Sequence, residues 1–147
     1  MIRKMTEDDL SEVLSLCQVM YQETATYRIM QFSATRIVEI LKTAIRGGFA
    51  TVAMESEEII GFMAGCSVNP TFSHDLMACD YVLYILPEHR GGLSAYRLAK
   101  AYISWARELG CKLITVGVTA GIDNERAIEF YKSMGFRKSG VQLSMEA

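Results

Sequence analysis

Leu10, Val13, Leu14, Cys17, Met20 and Tyr21 recur at spacings of three and four, the period of a helix with one buried face. Thr6 stands where such a helix needs an N-cap, and Glu7, Asp8 and Asp9 suit the positive end of its dipole. Ile2 to Met5, just before, reads as a short strand. "QETATYRIMQF" breaks the period and reads as a loop or an irregular helical piece. Ser33 then caps a second helix with Ile37, Ile40, Leu41, Ala44 and Ile45 on one face, stopped by Gly47 and Gly48. The texture changes in "FATVAMESEEIIGFMAGCSV", where two apolar runs flank the polar "ESEE" and predict an antiparallel hairpin. A loop around "NPTFSHD" leads into a buried strand from Tyr81 to Leu86. Pro87 ends it, because proline cannot donate to a sheet ladder. After Gly91 and Gly92, Ala95, Leu98, Tyr102, Trp105 and Leu109 trace a third helix, beginning at about Leu93 and closed by Gly110. "KLITVGV" is a further strand. Asp123 or Asn124 opens a last helix with Ala127, Ile128, Tyr131 and Met134 facing inward, and "FRKSGVQLSMEA" gives one final strand.

The resulting order is β-α-α-β-β-β-α-β-α-β, an α/β chain with a mixed sheet, antiparallel early and parallel where helices cross over. No linker, repeat or low-complexity tract divides it, so residues 1–147 form a single domain. Half the residues are apolar, which argues against intrinsic disorder. Charges nearly cancel, 15 basic against 17 acidic, and no basic stripe suggests nucleic acid. No apolar run reaches the length of a membrane span, and "MIRKMTEDDL" lacks the apolar core of a signal peptide. Four cysteines show no C-x-x-C spacing, and with two histidines they complete no zinc pattern. They read as buried reduced thiols, and the protein as cytoplasmic, with no metal.

Between the buried strand and the third helix lies Arg90-Gly91-Gly92. Amides at a helix start have no partners within the helix, and the dipole draws anions there. Glycine removes side chains that would keep a phosphate away, and arginine can hold one by a forked hydrogen bond. Glycine also serves strand-to-helix geometry alone. Neither the G-x-x-x-x-G-K-[ST] nor the G-x-G-x-x-G fingerprint is present.

Arg90-Gly91-Gly92-Leu93-Ser94-Ala95 resembles the [RQ]-x-x-G-x-[GA] turn of the GNAT acetyltransferase superfamily, preceded by "YILPEH" and followed by "YRLAKAYISWARELG". "DNERAIEFYKSMGF" resembles the N-x-x-A-x-x-F-Y-x-x-x-G-F signature of the same family. The two stand in the family's order with a strand between them, and "IRKMTEDDLSEVLSL" and "EEIIGFMAG" are similar to it as well. The resemblance implies a GNAT-like fold and an acetyl-CoA site, with coenzyme A as product. The pyrophosphate would lie on the amides of Arg90, Gly91, Gly92, Leu93, Ser94 and Ala95. The pantetheine arm would run beside Tyr84, Ile85 and Leu86, in a gap where that strand splays from "KLITVGV". Leu93 departs from the pattern where the family has glycine, so its side chain must point away from the phosphates, with Gly92 taking over the close approach.

Acetyl transfer to an amine requires a neutral nucleophile, a stabilised oxyanion and a proton for the departing thiolate. By resemblance Tyr131 is the general acid, against the alternative of a packed aromatic beside Phe130. Asn124 matches the asparagine that contacts the cofactor arm, against a helix cap. Asp80, before the central strand, is the candidate base, against a turn residue. His74, in the loop before that strand and titratable near neutral pH, is a weaker candidate base, against a surface histidine, and Glu23 and Tyr27 are weak candidates in the segment that lines the acceptor side in the family. The oxyanion donor would be a backbone N–H near Ile85. The function implied is N-acetylation of a primary amine on a small molecule or a protein; the alternative is a non-catalytic acyl-CoA sensor or interaction module. With one strand after the Gly-Phe pair, the sheet is left an open edge, and the expectation is a homodimer through the C-terminal strand.

Overall fold

Thr6 and Asp9 settle where the first helix starts. The Asp9 carboxylate accepts from the Thr6 backbone N–H at 2.8 Å and takes a fork from Arg3 at 2.8 Å to each oxygen. One carboxylate thus joins strand β1 (Ile2–Lys4) to a short 3-10 turn, Glu7–Asp9, and to helix α1 (Leu10–Glu23). The computed structural model describes all residues 1–147. Helix α2 (Ala34–Gly47) is capped by Ser33, whose Oγ accepts from the Arg36 N–H at 3.2 Å. Strands β2 (Phe49–Glu55) and β3 (Glu58–Val68) form the expected hairpin. Its two-residue turn, Ser56-Glu57, has φ of 49° and 65°, the geometry that matches the twist of paired strands. Strand β4 (Met77–Ile85) pairs antiparallel with β3 and leads through a 3-10 turn, Pro87–His89, to helix α3 (Ser94–Glu108). A two-residue β5 (Leu113–Ile114) and helix α4 (Asn124–Ser133) follow.

The sheet order is β1-β2-β3-β4-β5, antiparallel except for the parallel β4–β5 pair. α1 and α2 cover one face over a core of Val13, Leu16, Leu41, Val52 and Phe62. α3 covers the other over Met63, Ala78, Leu98 and Tyr102. Tyr102 is fully buried, and its hydroxyl donates to the Thr115 carbonyl at 2.9 Å.

Four expectations are corrected. Residues 136–147 form no strand: Val141, Leu143 and Met145 alternate as a strand would but stand exposed, and no main-chain hydrogen bond involves residues beyond Phe136. A strand needs a neighbour, and alternation alone does not supply one. The "KLITVGV" strand shrinks to Leu113–Ile114. β4 begins at Met77 rather than Tyr81, so Asp80 lies inside the strand and not in a turn before it. The cysteines are free but half-buried rather than fully so; burial pushes the Cys17 thiol up to about 11.

Candidate active site

The shortness of β5 creates the site. Its ladder with β4 holds at Met77↔Leu113 and Ala78↔Ile114, and the Thr115 N–H still donates to the Ala78 carbonyl at 2.9 Å. The Gly117 N–H then donates to Asp80 Oδ1, at 2.8 Å, in place of a main-chain carbonyl. A side chain inserted into a ladder drives the strands apart. Beyond Asp80 a cavity of about 430 Å³ opens between them, walled by β4, by residues 117–120, by the start of α4 and by the glycine turn.

Along that turn the Arg90 N–H donates to Pro87 at 3.4 Å and the Arg97 N–H to Leu93 at 2.9 Å. Every amide between them, Gly91 to Tyr96, lacks an acceptor within the chain. They stand at the N-terminus of a 15-residue helix, where open amides and the helix dipole together favour an anion. Gly91 has φ of 93°, which only glycine adopts without strain. A Cβ at Gly92 would meet nothing in the protein, so its bareness keeps room for a ligand. Leu93 is 61% exposed and outside the cavity wall: its side chain faces solvent and obstructs nothing. The turn therefore fits a diphosphate.

Arg90 does not extend into this row as a free cation. Its Nη1 and Nη2 donate to the two carboxylate oxygens of Glu23 at 3.0 and 2.9 Å, and its Nε donates to the Ile85 carbonyl at 2.9 Å. The Tyr84 hydroxyl donates to the same carboxylate, and the guanidinium lies 5.4 Å from the Tyr84 ring centre. Burial pushes the Glu23 carboxyl up, but the bonds from Arg90 and Tyr84 outweigh it and hold the carboxyl below its ordinary value.

Asp80 and Tyr131 both line the cavity. Burial pushes the Asp80 carboxyl up to about 6, against a smaller pull from the Gly117 amide. Tyr131 is 6% exposed; burial, and then the charge of Asp80, raise its phenol above the ordinary value. Phe130 and Phe136 pack edge-on around it. Asp123 caps α4, its Oδ1 accepting from the Arg126 N–H at 3.4 Å. Asn124, also on the wall, accepts from the Gly121 N–H at 3.2 Å. Tyr27 reaches across the cleft to the Thr119 hydroxyl at 3.0 Å. His74 lies on the exposed loop after β3, away from the cavity. Of the main-chain groups expected along the cofactor arm, the Leu86 N–H already donates to Ile60 at 2.8 Å and the Ile85 carbonyl is taken by Arg90.

Sequence reasoning gave Glu23 a weak place near the acceptor and missed its union with Tyr84 and Arg90. Glu23 and Arg90 are 67 residues apart, and no local pattern joins them. The His89 contact with Glu55, 2.9 Å from Nδ1 to the carboxylate, was equally invisible.

Residues 10–136 match the acetyltransferase (GNAT) family. The chain belongs to that family. An uncharacterized N-acetyltransferase of Methanocaldococcus jannaschii is 28% identical over 144 residues, 95% of this chain, which spans 62% of that relative's length. Among solved structures, a tetramutant of the BH1408 protein from Bacillus halodurans superposes with a TM-score of 0.78 at 23% identity, covering 100% of this chain and 99% of that one. Aminoglycoside N-acetyltransferase AAC(6')-Iy in complex with CoA gives 0.73 at 16% identity, covering 100% and 93%. These likenesses show the GNAT fold. The family uses acetyl-CoA, and the open amides and splayed strands of this chain lie within the span that matches it.

Proposed function

We propose that this protein is an acetyl-CoA-dependent N-acetyltransferase acting on a primary amine of a small molecule or a protein. One observation carries the reading: a single cavity is lined by Gly91, Gly92, Ser94 and Ala95, whose amides are unpartnered, and, along the same splay, by Asp80 and Tyr131.

Acetyl-CoA supplies an activated acetyl thioester. The chain's own groups do the rest. The amides from Gly91 onward hold phosphate oxygens, and the β4 edge beyond Ala78, which no strand pairs, lies open to an extended ligand. Asp80 keeps Oδ1 on Gly117 and has Oδ2 free to take a proton from the incoming ammonium. Its carboxyl near 6 is mostly ionised at neutral pH yet still basic, the compromise a general base requires. Tyr131, with its phenol raised, stays protonated at neutral pH and can donate its O–H as a hydrogen bond to the departing thiolate. Asn124 orients a ligand at the mouth of α4. We place the protein in the cytoplasm, in keeping with its free thiols, and expect a homodimer formed through the C-terminal segment.

The test is calorimetry with CoA and acetyl-CoA, followed by an amine screen read as free thiol release. Micromolar binding with turnover supports the enzyme. Binding without turnover on any amine tried, unchanged in Tyr131→Phe, supports a sensor instead. Absence of binding overturns both.

A further inference from the structure

The Glu23–Tyr84–Arg90 cluster has a consequence for how the turn meets phosphate, given the cofactor reading above. Glu23 closes α1, and its two oxygens receive donors from Arg90 Nη1, Arg90 Nη2 and the Tyr84 hydroxyl. Arg90 Nε is meanwhile bound to the carbonyl of Ile85, the last residue of β4. The paired side chains of Arg90 and Glu23 are 29% and 25% exposed, so neither charge is well hydrated and each is costly to leave alone. The fork also fixes the guanidinium plane, as a planar bidentate pair does.

We propose that Glu23 is a positioning residue for the anion turn. It neutralises Arg90 and clamps it over Tyr84, so that the amides of Gly91 to Tyr96, and not the guanidinium, are what meets the phosphates. Arg90 acts as a strut. Through its side chain it joins the end of β4 to the end of α1, and the residue that opens the glycine turn is held from both sides. The clamp also reaches the opposite wall. The segment that follows Glu23 carries Tyr27, whose hydroxyl is bound to Thr119 across the cavity. The residue that fixes the turn thereby anchors the strap beside which an acceptor would lie.

This arrangement and a direct phosphate-binding arginine predict opposite signs for one substitution. If Glu23 positions the turn, Glu23→Ala weakens CoA binding. If Glu23 merely restrains a phosphate-binding arginine, Glu23→Ala frees that charge and tightens it. The experiment is calorimetric titration of CoA into the parent, Glu23→Ala, Glu23→Gln, Arg90→Ala and the double variant Glu23→Ala/Arg90→Ala. Phosphate-free pantetheine is titrated in parallel by NMR, and each variant's unfolding is recorded. The expected result is a loss of about tenfold or more in CoA affinity for each Ala variant, about 1.4 kcal/mol, with no further loss in the double variant, because both changes release one clamp. Glu23→Gln, which keeps the shape of the side chain, loses affinity in the same direction. Pantetheine affinity does not fall in any variant, a pattern that general damage to the cavity would not give. Unchanged or tighter CoA binding in Glu23→Ala and Glu23→Gln, or equal losses for CoA and pantetheine, overturns the proposal alone. Failure of the parent to bind CoA overturns the cofactor reading, and this proposal with it.

Discussion

Asp80 carries two duties that conflict, and the conflict can be measured. Its carboxylate replaces a main-chain acceptor for Gly117 and so opens the cleft, yet it is buried and its carboxyl is pushed from 3.8 up to about 6. A carboxyl raised by folding favours the protonated native state. That contribution is fully present below about pH 4 and is lost as pH rises through about 6. At pH 7.5 the ionised group is therefore a cost, and Asp80→Asn, which retains an oxygen for Gly117, should stabilise the fold by on the order of 2–3 kcal/mol. The same variant should lose the rise of kcat/KM through pH 6 that a base at Asp80 predicts. Thermal melts at pH 4 and 7.5 with a pH–rate profile check both, and a variant no more stable at pH 7.5 would show that the carboxylate is solvated after all. Tyr131 offers a cleaner separation. Phenylalanine keeps the packing against Phe130 and Phe136, so Tyr131→Phe should bind CoA as the parent does while its turnover falls by about 10²-fold.

Among the elements, the junction of β1 with α1 and the β2–β3 turn hold local choices that can be tested without reference to activity. The Asp9 carboxyl is held down to about 2, first by the hydrogen bonds from Arg3, with burial opposing. A carboxyl lowered by folding stabilises the native state above about pH 4, and that stabilisation is lost as pH falls toward 2. Asp9→Asn should cost about 2 kcal/mol at pH 7, and the gap between variant and parent should close as the pH of a urea melt falls from 4 to 2. In the hairpin, Ser56 and Glu57 both carry positive φ without being glycine. Asn-Gly is the pair this turn geometry prefers, so replacing them should raise stability by about 1 kcal/mol, read from the urea midpoint. These elements were legible in the sequence because their signals are local. Ser33 and Asp123 cap the helices they were expected to cap, Asp123 being one of two candidates, and the polar "ESEE" turns where it was expected to turn. The same locality explains what was not legible. Whether "KLITVGV" pairs along its length depends on an aspartate in another strand, and whether Arg90 is free depends on a glutamate 67 residues away.

At the scale of the molecule the sheet ends on an edge, at β5, that no strand pairs. Leu113 is 56% exposed, and a gap of about 590 Å³ separates the segment 113–119 from residues 135–142. The expectation of a final strand failed because strand pattern and strand partner are separate conditions: Val141, Leu143 and Met145 meet the first and not the second. An open edge beside an alternating apolar segment is the pairing template that proteins usually cover. The proposed dimer would satisfy both at once, each copy laying its Val141–Met145 segment against the other's β5 edge and burying apolar side chains that are now 72% to 95% exposed. Truncation after Phe136 tests this directly. Those residues make no main-chain hydrogen bond and no salt bridge within the chain, so a monomer should lose almost nothing, within about 0.5 kcal/mol. A dimer paired through them should dissociate on truncation and lose the concentration dependence of its melting temperature. Sedimentation of parent and truncated protein at matched concentrations decides: a dimeric parent and a monomeric truncation establish the pairing, whereas a monomeric parent, or a dimer that survives truncation, places the contact elsewhere or removes it.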